Sequence, residues 1–249
     1  MARLRRDRPT GGPSWLPALA ILGVLGFGGL ASAPVQAGAR TDKAAPSAVV
    51  ADFAGVLGAS ASDDARQTAD WVIRSGDNQG LPFIIVDKKD ARVFVFDGGA
   101  TLRGVSTALL GLAVGDESAP GVGDRPLSAI PPEQRTTAAG RFVAALGPDL
   151  TGHDVLWIDY EAALALHRVV ESGTRQHRLE RLAAPSVLSR RVTFGCINVP
   201  AEFYEDVVRP QFRGTLGIVY ILPETRTVLE VFPGQGAARS DADARPRAS

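Results

Sequence analysis

Apolar and polar positions change period several times along the chain, and each change marks an element. From Ser62 to Ser75 the apolar residues Ala65, Ala69, Val72 and Ile73 recur at helical spacing. Ser62 suits an N-cap, Asp63 and Asp64 favour the positive end, and Gly76 suits the stop, so a helix is predicted over 62–75. After Asn78-Gln79-Gly80 the period shortens. Residues 82–87 and 91–96 are apolar runs rich in β-branched and aromatic side chains, joined by Lys88-Lys89-Asp90, which predicts a β-hairpin. Residues 101–114 read as a third, bent extended segment, and the Pro- and Gly-rich stretch 115–135 as a long loop of the kind that often covers a site.

Further strands are predicted entering at Arg141-Phe142-Val143, over 153–159, over 162–169 and over 191–197. Leu179 and Leu182 in the polar stretch 174–183 suit a short surface helix. Residues 200–208 suit a helix with Pro200 in its first turn and Asn198 or Val199 at its cap. Residues 217–222 and 227–232 read as a last hairpin, and 234–249 as a disordered tail. The fold class expected is mostly β with a few helices (α+β), a mixed β-sandwich or open barrel, in a single domain over 51–233.

The N-terminus changes the picture of where this domain works. Arg3, Arg5, Arg6 and Arg8 precede an uncharged stretch from Pro9 to Ala39, within which residues 15–33 are nearly continuously apolar. A basic start, an apolar centre and small residues at the end describe a secretory signal peptide over 1–37, with Val35-Gln36-Ala37 before Gly38 as the cleavage point. The alternative is a membrane anchor through 15–33, which is about long enough to span a bilayer. Either way the folded part is expected outside the cytoplasm, in the periplasm or cell envelope, behind a flexible lead-in over 38–50.

Charge adds little beyond an exclusion. The chain carries 27 basic and 27 acidic residues, and without residues 1–37 the balance is 23 against 26. No basic excess points to nucleic acid as a partner. The single cysteine excludes an internal disulfide and any multi-cysteine metal site, and three histidines leave little for a metal centre. No metal or organic cofactor is expected. Trp71 and Trp157 are assigned to the core rather than to sugar binding.

Chemistry concentrates at Thr193-Phe194-Gly195-Cys196-Ile197-Asn198. Read as strand, glycine, cysteine and helix start, the segment favours a thiolate, because a helix N-terminus lowers a cysteine pKa. Gly195 lets the backbone approach a carbonyl, and N–H groups of Gly195 and Cys196 are candidates to hold an oxyanion. The other reading of Cys196 is a small buried hydrophobe.

This segment resembles the active-site motif of the L,D-transpeptidase catalytic-domain family, which is Ser/Thr-His-Gly-Cys, an aliphatic residue and usually Arg. The hairpin at 82–96 resembles that family's opening strands, Thr137-Ala138-Ala139-Gly140-Arg141-Phe142 its Thr-Pro-x-Gly-x-Phe element, and a strand ending in His precedes the cysteine. The likeness covers about residues 82–222. Phe194 stands where the family has His, and Asn198 where it usually has Arg. The resemblance implies that Cys196 attacks a peptidoglycan stem peptide to form a thioester, which an amine acceptor or water resolves. It implies His167 as general base, 29 residues before the cysteine. His177, 19 residues before it, is the alternative, set in a charged stretch. Thr193, Phe194, Asn198 and Arg168 are assigned to the substrate. A catalytically silent peptidoglycan-binding protein of the same fold is the reading from another class.

Overall fold

Helix α1 (Asp63–Ser75) forms where the stripe of Ala65, Ala69 and Val72 requires it. Ser62 Oγ accepts the Ala65 N–H, and Gly76 closes the helix at φ +67°, a left-handed conformation that glycine adopts without steric cost. The computed structural model describes residues 61–169 and 177–236. The expected signal peptide or anchor, the lead-in, residues 170–176 of the polar insert and residues 237–249 of the tail lie outside the described residues. No helix among the described residues is long and apolar enough to cross a membrane.

The protein is mostly β. Strands β1 (Phe83–Asp87), β2 (Arg92–Phe96), β3 (Leu102–Thr107), β5 (Gly140–Pro148), β6 (Asp154–Asp159), β7 (Leu164–Arg168), β9 (Ile197–Val199) and β10 (Gly217–Ile221) make one mixed sheet in the order β3-β2-β1-β10-β5-β6-β7-β9. The pairs β1/β10 and β7/β9 are parallel and the other neighbours antiparallel. Two short strands, β4 (Leu110–Gly111) and β8 (Arg191–Thr193), pair in parallel beside it. Leu109, just past β3, exchanges both backbone hydrogen bonds with Asn198 of β9, so chain leaving one end of the sheet meets the other and the sheet nearly closes.

Near-continuous apolar runs in β1, β2 and β10 follow from burial on both faces. Ile84, Val86, Val93, Val95, Val219 and Ile221 point inward, against Leu156, Leu166, Ile197, Tyr204 and Phe212. Phe83, Ile85, Phe94, Phe96, Ile218 and Tyr220 point to the other face, against Ala65, Ala69, Trp71 and Val72 of α1 and Phe232. Burial of that size is the main force holding such a sheet.

Two expectations are corrected. Residues 227–232 do not form a strand. They make a helical turn, α4 (Val228–Val231), because Thr227 and Glu230 form a capping box and both lateral edges of β10 are already occupied by β1 and β5. Trp71 is buried as expected, but Trp157 is half-buried on the outside of β6, stacked on exposed Tyr160 with ring centroids 4.8 Å apart.

Candidate active site

The cysteine sits in a turn rather than at a helix start. After β8 the chain bends through Phe194 and Gly195, passes Cys196 and enters β9. Residues 197–199 form a strand because partners wait on both sides. Leu166, His167 and Arg168 of β7 pair with Ile197, Asn198 and Val199, and Leu109 bridges Asn198 from the other side. Helix α3 (Ala201–Phe203) begins only after Pro200, so Asn198 and Val199 are not its cap and its N-terminal dipole is not at the sulfur. The field of a helix end falls off within about one turn.

Two threonine hydroxyls hold the turn. Thr193 Oγ1 donates to the Cys196 carbonyl at 2.7 Å and accepts the Gly195 N–H at 3.2 Å. Thr137 Oγ1 donates to the Gly195 carbonyl at 2.7 Å and accepts the Gly111 N–H at 2.9 Å. Gly195 has φ +135°, and a Cβ there would lie 2.8 Å from the Thr136 carbonyl oxygen, which explains the glycine. The Gly195 N–H, a candidate oxyanion donor, is thus spent on Thr193. Thr137→Val removes a fully buried hydroxyl that satisfies two backbone groups. It is expected to lower stability by about 1–3 kcal/mol in urea unfolding, and to broaden the Cys196 amide resonance as the turn loosens.

Cys196 is half-buried, and its thiol donates to the Ala163 carbonyl at 3.4 Å. Dense packing around the sulfur pushes the thiol pKa up. The Ala165 N–H and the Arg178 charge pull it partly back. The resting sulfur is therefore a thiol, contrary to the thiolate expected from a helix end. His167, opposite Asn198 across the β7/β9 pair, donates from Nδ1 to its neighbour's carbonyl, Arg168 O, at 2.8 Å. The Asn198 side-chain amide meets Nε2 at 2.9 Å. Burial pushes the imidazole pKa down, and Arg178 and Arg168 add to this against Asp149 and the Arg168 carbonyl. Among the described residues no hydrogen bond joins the Cys196 sulfur to either ring nitrogen.

The four residues assigned to substrate have partners inside the protein. Thr193 and Asn198 are only 2% and 1% exposed, too buried to meet a peptide without rearrangement. Phe194 lies under the Arg135 guanidinium, 4.1 Å from its ring centre. Arg168 pairs with Asp154 and Glu205 and stacks over Tyr204. These side chains brace the site. His177 is exposed in front of α2 (Arg178–Ala183) and paired with Glu180 at 3.3 Å. His153 is exposed and bonded to Thr151.

A cavity of about 620 Å³ opens beside the imidazole. His167, Arg168 and His153 line it with Asp149, Asp154 and Glu202, and Val169, Leu179 and Pro200 make its apolar wall. Cys196 is not among the lining residues. The cavity's three carboxylates sit in separate segments with no motif spacing, so no pattern in the sequence marks them. Among the described residues no group of three or more His, Cys, Asp or Glu is arranged to hold a metal ion.

No family model matches the chain, and no curated protein does. A solved structure, the helical cell shape determining protein Pgp2 from Campylobacter jejuni (K307A mutant), is similar at a TM-score of 0.38 and 12% identity. The match covers 73% of this chain, which spans 65% of that one, less than two thirds of its length.

Proposed function

We propose that the protein is an exported cysteine acyltransferase of the L,D-transpeptidase kind, acting on peptidoglycan stem peptides. The observation that carries the reading is the pairing of β7 with β9. It puts the His167 ring on the strand next to the cysteine turn, with Nδ1 held by a backbone carbonyl and Nε2 facing the Asn198 amide.

In this reading both partners start uncharged. Nε2 takes the thiol proton as the sulfur attacks the carbonyl of the third, diaminopimelate-type residue of a tetrapeptide stem. The carbonyl–nitrogen bond breaks, the proton passes to the departing D-amino acid, and a thioester remains. An amine from a second stem attacks it, gives its proton to Nε2, and the sulfur leaves and is reprotonated. The Asn198 amide has to yield Nε2 as substrate enters. With Gly195 N–H engaged, the Cys196 N–H is the remaining candidate of the two expected oxyanion donors.

The raised thiol pKa and the occupied imidazole favour a second reading, a silent peptidoglycan-binding envelope protein. Intact-mass spectrometry after incubation with a muropeptide tetrapeptide separates the two. The first reading expects a Cys196 adduct equal to the stem minus its terminal residue, discharged faster by a second stem. Discharge at the same rate in water alone indicates a carboxypeptidase. No adduct, together with retained binding to peptidoglycan sacculi, establishes the second reading.

A further inference from the structure

We propose that Arg178 is a positioning residue that fixes the tautomer of His167 by acting through Asn198. The inference rests on the reading of His167 as the base, and reaches a residue of the polar insert that neither motif nor resemblance marks.

Four groups form an unbroken chain. Arg178 Nη1 donates to Asn198 Oδ1 at 3.0 Å, Asn198 Nδ2 meets His167 Nε2 at 2.9 Å, and His167 Nδ1 meets Arg168 O at 2.8 Å. The two ends allow one proton arrangement. A guanidinium has donors only, so the Asn198 oxygen has to face it and the amide NH2 has to face the ring. That NH2 is also a donor only, so Nε2 has to present its lone pair. The ring hydrogen is then on Nδ1, where a backbone carbonyl, an acceptor only, receives it. Reversing the Asn198 amide would set NH2 against the guanidinium. Protonating Nε2 would set N–H against NH2. Either change forfeits a buried hydrogen bond, since Asn198 is 1% exposed and shielded from bulk solvent.

The other charges facing the ring do not fix this order. Arg168 lies on the same strand and is paired with Asp154 and Glu205. Asp149, His153, Asp154 and Glu202 line the cavity beside the ring. None of their charged groups is hydrogen-bonded to a ring nitrogen of His167 among the described residues. Arg178 thus does from the insert what an arginine directly after the aliphatic residue would not do from position 198. It holds an amide donor against Nε2 and, together with the Arg168 carbonyl at Nδ1, fixes which nitrogen is basic.

The test is ¹⁵N-histidine labelling of the full-length protein, reading two-bond ¹H–¹⁵N correlations. Its three histidines are assigned by substituting His153 and His177 one at a time. In the unaltered protein His167 is expected to show a protonated Nδ1 and an unprotonated Nε2 at neutral pH. Arg178→Lys, again a donor only, is expected to keep that pattern. Arg178→Glu presents an acceptor, so Asn198 turns and its oxygen accepts from Nε2–H. With Nδ1–H still held by the Arg168 carbonyl, Nε2 gains a proton, the cationic ring is favoured, and the His167 pKa rises by on the order of one unit. An Nε2–H tautomer in the unaltered protein overturns the inference, and so does an unchanged tautomer and pKa in folded Arg178→Glu. Asn198→Asp is expected to protonate Nε2 in the same way, and its failure to do so also overturns it. If the spectra behave as expected but His167→Asn leaves the rate of thioester formation intact, the tautomer lock stands and the base assignment fails.

Discussion

Under the proposed acyltransferase reading, Cys196→Ser is expected to lower stem-peptide acylation by about a thousandfold or more, since a hydroxyl with an imidazole base is a far weaker nucleophile than a thiol. The fold should survive, because the sulfur makes weak hydrogen bonds, to Ala163 O and from the Ala165 N–H, while the turn is held by Thr193 and Thr137. The sharper result concerns pH. Burial pushes the thiol up and the imidazole down, so a neutral pair rests in the site rather than a thiolate–imidazolium pair. The thiolate fraction then grows with pH across the neutral range. Alkylation of the unaltered protein by iodoacetamide is expected to rise about tenfold per pH unit between roughly pH 6 and 8.5, with no plateau. A preformed ion pair would instead give a rate nearly flat over that range. A flat profile would remove the general-base description and leave a nucleophile activated before substrate arrives.

Much of the sheet is legible because its residues answer to one constraint at a time. The runs 83–87 and 92–96 are apolar at every position, or nearly so, and both faces prove to be buried. The last apolar run misleads because Thr227-Val-Leu-Glu230 carries two messages, a β-branched composition and a capping box. The second prevails once β10 has no free edge. The cysteine segment misleads in a similar way. Pro200 announces a helix, but residues 197–199 find pairing partners at β7 and Leu109 that lie 31 and 89 residues upstream of Asn198, beyond any local pattern. Cys196 and His167 are visible as residue types in strand contexts. The hydroxyl of Thr137 and the guanidinium of Arg178 are not, since their roles depend on segments brought together only by the nearly closed sheet.

Lys88 is the plainest case of a residue whose role is hidden, and its replacement carries the largest expected effect on stability. In the sequence it belongs to a polar hairpin turn beside Lys89, yet its side chain is 0% exposed. Nζ meets Gly115 O at 2.6 Å, Asp116 Oδ1 at 2.7 Å and Thr137 O at 2.9 Å. Three acceptors require all three ammonium hydrogens, so the charged form fits, although burial pulls the Lys88 pKa down against Asp116 and Glu224. Asp116, Glu224 and Arg191 complete a quartet of balanced charge, with Arg191 bonded to Glu224 and to the carbonyls of Lys88, Gly111 and Ala113. Burial alone would raise the Asp116 carboxyl. Lys88, Thr225 and the backbone N–H groups of Glu224 and Thr225 outweigh it and hold the group well below the usual carboxylate range.

Lys88→Met leaves two buried carboxylates facing one buried guanidinium, Arg191, with the partly exposed Arg226 3.9 Å from Asp116, and is expected to cost about 3–5 kcal/mol at pH 7, measured by urea unfolding. Adding Asp116→Asn removes the stranded charge while keeping an acceptor for the backbone, and should recover part of the loss. The acid limb gives an independent check. A depressed folded pKa stabilises above the unfolded value, about 3.9 for Asp, and that contribution is lost as pH falls from there toward the folded value. The gap between the unaltered protein and Lys88→Met is therefore expected to narrow below about pH 4. A gap that stays constant from pH 7 to 3 would assign the loss to packing rather than to charge. Because Arg191 begins β8, which leads directly into the cysteine turn, and Thr137 links Lys88 to Gly195, the quartet is also the foundation of the site. Lys88→Met should accordingly raise Cys196 alkylation under conditions where the protein remains folded, as the turn opens more often to solvent.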